Sequence, residues 1–221
     1  MATKRSQRIA IWVIAITMAV GTIGSFLIII LQNNNQQTDT AKLNDLMSAY
    51  QKEVDAYQEK VNAQAAELSQ VYFTEFNQYS SRPAVWDAAS ATELKKEDLK
   101  IGDGEEITAD SSFSAYYIGW TPDGNVFDGS INGDALKAPF AVTPGGVIQG
   151  WTDGVIGMKV GGVRELTIPS DLAYGETGSG ETIAPNTPLK FVIMIIPTPE
   201  AIPEPQPSAE LIKLYTQSQG Q

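Results

Sequence analysis

The sequence predicts an α+β domain built on an antiparallel sheet, preceded by one long apolar helix and one long polar helix. Three observations predict it. Residues 9–31 contain no charge, residues 41–79 contain neither Pro nor Gly, and from about residue 94 short alternating runs are punctuated by Gly, Pro and Asp. Many short strands with a single short helix among them imply an antiparallel α+β architecture.

Ile9 to Leu31 is interrupted only by Thr17, Gly21, Thr22, Gly24 and Ser25. As a helix this run is roughly 34 Å long, enough to cross a hydrocarbon core about 30 Å thick. A cleavable leader has a shorter apolar stretch and a small-residue cleavage site; here the run ends in Gln32-Asn33-Asn34-Asn35-Gln36-Gln37. Lys4, Arg5 and Arg8 precede it and are the only charges before residue 39, which keeps residues 1–8 in the cytoplasm and sends the rest across. Residues 9–31 are therefore expected to be a single-pass signal anchor in contact with membrane lipid.

Residues 32–82 are expected to form a spacer and a helical stalk. Leu43, Met47, Tyr50, Val54, Tyr57, Val61, Leu68 and Val71 follow steps of four and three, with Gln64 at the polar seam position. That heptad pattern suits a coiled coil, and hence a homodimer through the stalk, or equally an amphipathic helix lying on its own domain. As continuous helix, residues 41–79 would extend about 58 Å. Arg82-Pro83 is expected to stop it.

Phe113, Ala115 and Tyr117 alternate with Ser112, Ser114 and Tyr116, as in a half-buried strand. Pro122-Asp123-Gly124 signals a tight turn towards Val126-Phe127. Val163–Ile168 and Leu189–Ile196 read as strands ended by Pro169 and Pro197, and a short helix fits Gly150 to Gly157, where Trp151 and Val155 lie one turn apart. Residues 198–221 form a tail in which alternating Pro favours extended chain. Within it Ser208-Ala209-Glu210, ahead of Leu211, Ile212 and Leu214, suits a last helical turn.

Composition removes whole classes of chemistry. The chain has no His and no Cys, which rules out a Ser-His-Asp triad, a Cys-His nucleophile, a disulfide and an ordinary zinc site. A net charge of −11 repels phosphate backbones, so nucleic acid is not expected as a partner. The Gly-rich stretch Gly175 to Thr182 lacks the Gly-Lys-Ser/Thr ending of a phosphate loop and carries Glu176 and Glu181. Asp128, Asn132 and Asp134 do not have EF-hand spacing. No metal and no cofactor is expected. What remains are aromatic and aliphatic side chains beside turns, either a plain core or an apolar site.

Their order decides between the two. Gly102-Asp103-Gly104, Tyr117-Ile118-Gly119, Asp123-Gly124-x-x-Phe127-Asp128 and Pro139-Phe140 begin a series. It continues with Val147-Ile148-x-Gly150-Trp151-x-x-Gly154, Gly157-Met158-x-x-Gly161 and Ile168-Pro169-x-x-Leu172-Ala173-Tyr174-Gly175. Gly178-x-Gly180-x-x-Ile183-x-Pro185-Asn186 and Leu189-x-Phe191 complete it. Over residues 94–197 the chain closely resembles the FKBP-type, macrolide-binding peptidyl-prolyl cis-trans isomerases.

The resemblance implies an antiparallel sheet of about five strands wrapped around one short helix, and isomerisation of X–Pro bonds in polypeptide substrates. It implies a proline pocket lined by Tyr117, Phe127, Phe140, Val147, Ile148, Trp151, Tyr174 and Phe191, with Trp151 as its floor. The Tyr174 hydroxyl and the Ile148 N–H would hold substrate carbonyls, Asp128 would supply a polar edge, and Ile183 would belong to an overhanging loop. A macrolide is implied as a ligand of the same pocket. Ser179, Ala184 and Gly129 depart from the residues usual in the family. With the anchor, the expected role is assistance to folding outside the cytoplasm; the alternative is a non-enzymatic chaperone or peptide-binding module on the same fold.

Overall fold

The computed structural model describes residues 37–219, and the expected membrane span at residues 9–31 lies outside them. Among the described residues no helix is long and apolar enough to cross a membrane. Residues Asn62–Glu200 form one compact unit; of the other described residues, 37–61 and 201–219 belong to a second. The first unit therefore begins well ahead of residue 94.

Helix α1 runs Gln37–Phe76. It ends before Arg82-Pro83, passing into a short 3-10 turn at Asn77–Tyr79 that closes when the Ser80 N–H donates to the Asn77 carbonyl. Strands β1 (Lys95–Lys100), β2 (Phe113–Trp120), β3 (Val126–Gly129), β4 (Ile131–Asn132), β5 (Ala135–Leu136) and β6 (Phe140–Val142) follow. Then come helix α2 (Gln149–Val155), β7 (Val163–Ile168), β8 (Leu189–Ile196) and helix α3 (Ala209–Gln219). The main sheet is antiparallel in the order β1-β7-β8-β2-β3, with β6 pairing β2 beside β3, while β4 and β5 form a separate hairpin. The expected α+β sheet with one short helix is what the chain forms.

Side chains on β2 and β8 divide between two apolar layers. Phe113, Ala115 and Tyr117 of β2, with Leu189, Phe191, Ile193 and Ile195 of β8, face α2. Tyr116, Ile118, Trp120, Val192, Met194 and Ile196 face the other way and pack with Phe76, Tyr72, Phe73, Tyr79 and Trp86. The expectation of a half-buried β2 is thus corrected: both faces are buried, because the end of α1 and the segment after it cover the back of the sheet.

At this end the heptad stripe of α1 is not the face that meets the sheet. Val71, a seam position, is 67% exposed, whereas Phe76 is fully buried. A straight 3.6-residue helix lying on a sheet drifts away from a strict 3.5-residue stripe, so Tyr72, Phe73 and Phe76 replace Val71 in the contact. The Ser69 hydroxyl fixes the register by accepting from the Leu136 N–H of β5 at 2.8 Å. Behind the sheet the buried Glu165 carboxylate accepts from Arg82 Nε at 2.8 Å and from Lys190 Nζ at 2.9 Å. Trp86 Nε1 donates to the Thr121 carbonyl at 3.2 Å, and Lys190 Nζ stands 5.4 Å from the Trp86 ring centroid. Gln64 Nε2 donates to the Glu200 carbonyl at 2.8 Å.

In the second unit the tail is more ordered than its prolines suggest. Residues 209–219 make three helical turns, not one, capped where the Leu211 N–H donates to Ser208 Oγ at 3.1 Å. Leu211 is 6% exposed, Lys42 and Glu210 form an ion pair, and burial followed by the Glu204 charge pushes the Tyr57 hydroxyl pKa up. The tail therefore meets the first half of α1 at Lys42 and comes near it at Tyr57.

Candidate active site

The front layer of the sheet builds the site. Tyr117, near the middle of β2, has its backbone locked by Ser130, whose hydroxyl accepts from the Tyr117 N–H at 3.0 Å while its own N–H donates to the Tyr117 carbonyl at 2.8 Å. Phe127 comes from β3, Phe140 from β6, Phe191 from β8 and Trp151 from the first turn of α2. Their rings meet mostly edge to face. The Trp151 centroid lies 5.4 Å from Tyr117, 5.4 Å from Phe191 and 6.1 Å from Phe140. Phe127 is 5.5 Å from Phe191, and Tyr117 is 5.8 Å from Phe140. Such pairs prefer this geometry because a ring's positive edge meets its neighbour's negative face.

Gly119 makes the convergence possible, since a Cβ there would stand 2.6 Å from atoms of both Phe127 and Phe191. Val147 and Ile148 pack half-buried against the cluster. Ile148 is extended and starts α2; its carbonyl accepts from the Trp151 and Thr152 N–H groups, while its own N–H has no partner among the described residues. Ile183 is buried in the same cluster, its backbone paired both ways with Ser179. Within that loop the Ile183 side chain is turned into the cluster.

Two polar groups edge the rings. Tyr117 Oη donates to Asp128 Oδ2, and Asp128 Oδ1 also accepts from the Gly129 N–H at 2.8 Å, with Lys137 Nζ 3.9 Å away. Burial, then the hydrogen bond to Asp128, pushes the Tyr117 hydroxyl far above its ordinary pKa. Tyr174 is 38% exposed and its hydroxyl pKa is raised by burial and then by the Asp128 charge. Its hydroxyl has no hydrogen-bond partner among the described residues. Every residue predicted for the pocket thus lies in or beside one cluster. A separate concavity of about 390 Å³ behind the sheet, lined by residues including Ser69, Phe73 and Asp134, contains none of them. Among the described residues no group of acidic side chains could hold a metal ion.

Sequence reading missed Ser130. Nothing about a serine beside a glycine says that its hydroxyl will accept from a neighbouring strand.

The family model described as FKBP-type peptidyl-prolyl cis-trans isomerase matches residues 104–196. An FK506-binding protein of Neisseria meningitidis is 39% identical over 102 residues, covering 45% of this chain and 91% of that one. The chain belongs to the FKBP-type peptidyl-prolyl cis-trans isomerase family. It is an enzyme of that type. A probable FKBP-type peptidyl-prolyl cis-trans isomerase of the same species is 39% identical over 127 residues, covering 56% of this chain and 45% of that protein. The crystal structure of a peptidyl-prolyl cis-trans isomerase from Pseudomonas syringae is 31% identical, covers 61% of this chain and 92% of its own, and superposes with a TM-score of 0.43. The family match at residues 104–196 spans β2 to β8 with α2, and both α1 and β1 lie ahead of it.

Proposed function

We propose that this FKBP-type isomerase acts on X–Pro bonds of polypeptides folding outside the cytoplasm, held to the cell membrane by residues 9–31, with the aromatic cluster as its pocket. The cluster supports the site. Rings from four different strands and α2 converge there, with the Tyr174 hydroxyl and the Ile148 N–H left without partners among the described residues.

Rotation about an X–Pro amide breaks no bond; its barrier, about 18–20 kcal/mol, comes from amide resonance. Planar amide is the more charge-separated form, so an apolar pocket disfavours it relative to the twisted one. Donors placed for the twisted form then add binding that the planar form lacks. Trp151 and Phe191 would hold the pyrrolidine ring, while Tyr174 Oη and Ile148 N–H would hold carbonyls. Asp128 orients Tyr117. A macrolide would occupy the same apolar surface.

Tyr174→Phe is expected to lower kcat/KM five- to thirty-fold, as the loss of about 1–2 kcal/mol of transition-state hydrogen bonding. Stability should barely change, since the hydroxyl has no hydrogen-bond partner among the described residues. A protease-coupled proline-peptide assay beside urea unfolding checks both; wild-type kinetics in the variant would remove Tyr174 from the mechanism. Placement is tested separately. Protease added to intact cells should digest the domain, and the mature N-terminus should map ahead of residue 9; a protected domain would overturn the extracytoplasmic reading.

A further inference from the structure

Arg164 lies on β7, outside the aromatic cluster, and its residue surface is only 7% exposed. Its guanidinium grips Asp98 of β1 with a fork, Nε to Oδ1 at 2.6 Å and Nη2 to Oδ2 at 3.1 Å. The remaining nitrogen, Nη1, donates to the Gly154 carbonyl at 2.8 Å and to the Ile156 carbonyl at 3.2 Å. Those carbonyls belong to the last turn of α2 and the residue that ends it. A helix end leaves its last carbonyls without intrahelical donors, and α2 has no basic residue of its own in the last turn.

The rest of the α2 contact with β7 is unusually close. A Cβ on Gly150 would stand 2.2 Å from Ile168 Cγ2, and one on Gly154 would stand 2.4 Å from Leu166 Cδ1. Two glycines one turn apart leave notches that the Ile168 and Leu166 side chains fill, so the helix lies close on the strand. Trp151 is carried between them. Its height and tilt therefore depend on that seating and on what holds the ends of the helix.

We propose that Arg164 is a positioning residue for the isomerase reaction: braced by Asp98, it clamps the C-terminal end of α2 and thereby sets Trp151 as the floor of the pocket. The proposal rests on the aromatic cluster being the catalytic pocket. Arginine suits the task because its planar fork binds a carboxylate bidentately and still reaches two carbonyls. A lysine would supply the charge but could not make both connections. Because the twisted amide must meet the ring and the carbonyl donors together, small misplacements of the floor reduce rate more than they reduce binding.

The test uses the full chain in detergent, with Arg164→Lys and Asp98→Asn variants. Three readouts are taken together: urea unfolding, kcat and KM for a proline peptide, and the indole ¹H–¹⁵N resonances, assigned by Trp151→Phe. Arg164→Lys should lose about ten-fold in kcat with KM within about two-fold, and should move or broaden the Trp151 resonance while that of Trp120, behind the sheet, stays in place. Asp98→Asn should change the same quantities in the same direction by less. An unmoved Trp151 resonance, an unchanged kcat in folded protein, or equal displacement of Trp120 would each overturn the proposal. Should Arg164→Lys not fold, Asp98→Asn decides by the same criteria. Failure of the pocket reading itself would show differently, as full activity in a folded Trp151→Leu protein, whereas the Trp151 resonance reports the clamp whether or not that pocket is catalytic.

Discussion

Phe76→Ala is expected to destabilise the FKBP domain by about 3–5 kcal/mol, the usual cost of deleting a fully buried aromatic ring. Phe76 is the last residue of α1 and is 0% exposed, packed 6.0 Å from the Tyr116 ring centroid and 6.4 Å from Tyr79. Removing it leaves a cavity over the back of β2 and β8 that Tyr72 and Phe73 can fill only in part. Urea unfolding followed by near-ultraviolet circular dichroism measures the loss. A cost below about 1 kcal/mol would mean that the sheet does not depend on α1. A fragment starting at residue 94 is likewise expected to be marginally stable. It would lack Tyr72, Phe73, Phe76, Tyr79 and Trp86, and would expose an apolar sheet face to water.

The second large effect is alkaline. Burial, then Tyr72, pushes the Tyr116 hydroxyl pKa up to about 12, and that hydroxyl is buried without a hydrogen-bond partner among the described residues. Tyr117 is raised as well, by burial first and then by Asp128. In the unfolded chain both titrate near about 10. Below that pH both states are protonated and the full stability is present. Above it the unfolded chain releases protons that the folded chain retains, so unfolding becomes more favourable as pH rises. Each pH unit costs about 1.4 kcal/mol per retained proton, so roughly 3–5 kcal/mol should be lost between pH 10 and 12. Tyr116→Phe should recover roughly half of that loss. Equal pH slopes for wild type and variant across this range would remove Tyr116 as a cause.

What could be read along the chain was whatever has a local cause. The strands at Phe113–Trp120, Val163–Ile168 and Leu189–Ile196 announce themselves by apolar runs between Gly and Pro. Helix α2 is marked by Trp151 and Val155 one turn apart. The aromatic set was legible because the spacing of Tyr117, Phe127, Phe140, Trp151, Tyr174 and Phe191 resembles that of a known family, and five of these rings, all but Tyr174, fall in one cluster. The lack of His and Cys excluded whole classes of nucleophile and metal before any fold was known.

Only the tertiary structure decided what α1 buries and against what. A stripe of apolar residues tells a helix that one side must be covered, yet the hydrophobic effect has no direction and accepts a second helix, a sheet or the chain's own tail equally well. Here the first half of α1 meets residues 201–219, and its end meets the sheet, where a straight helix exchanges Val71 for Tyr72, Phe73 and Phe76. Arg164 and Asp98 stand 66 residues apart. Such a charge pair carries no signature along the chain, because its partners are chosen by how two strands register. The set of aromatic residues follows from a pattern written in sequence order, whereas the ion pairs around them follow from distances that exist only after the sheet has closed.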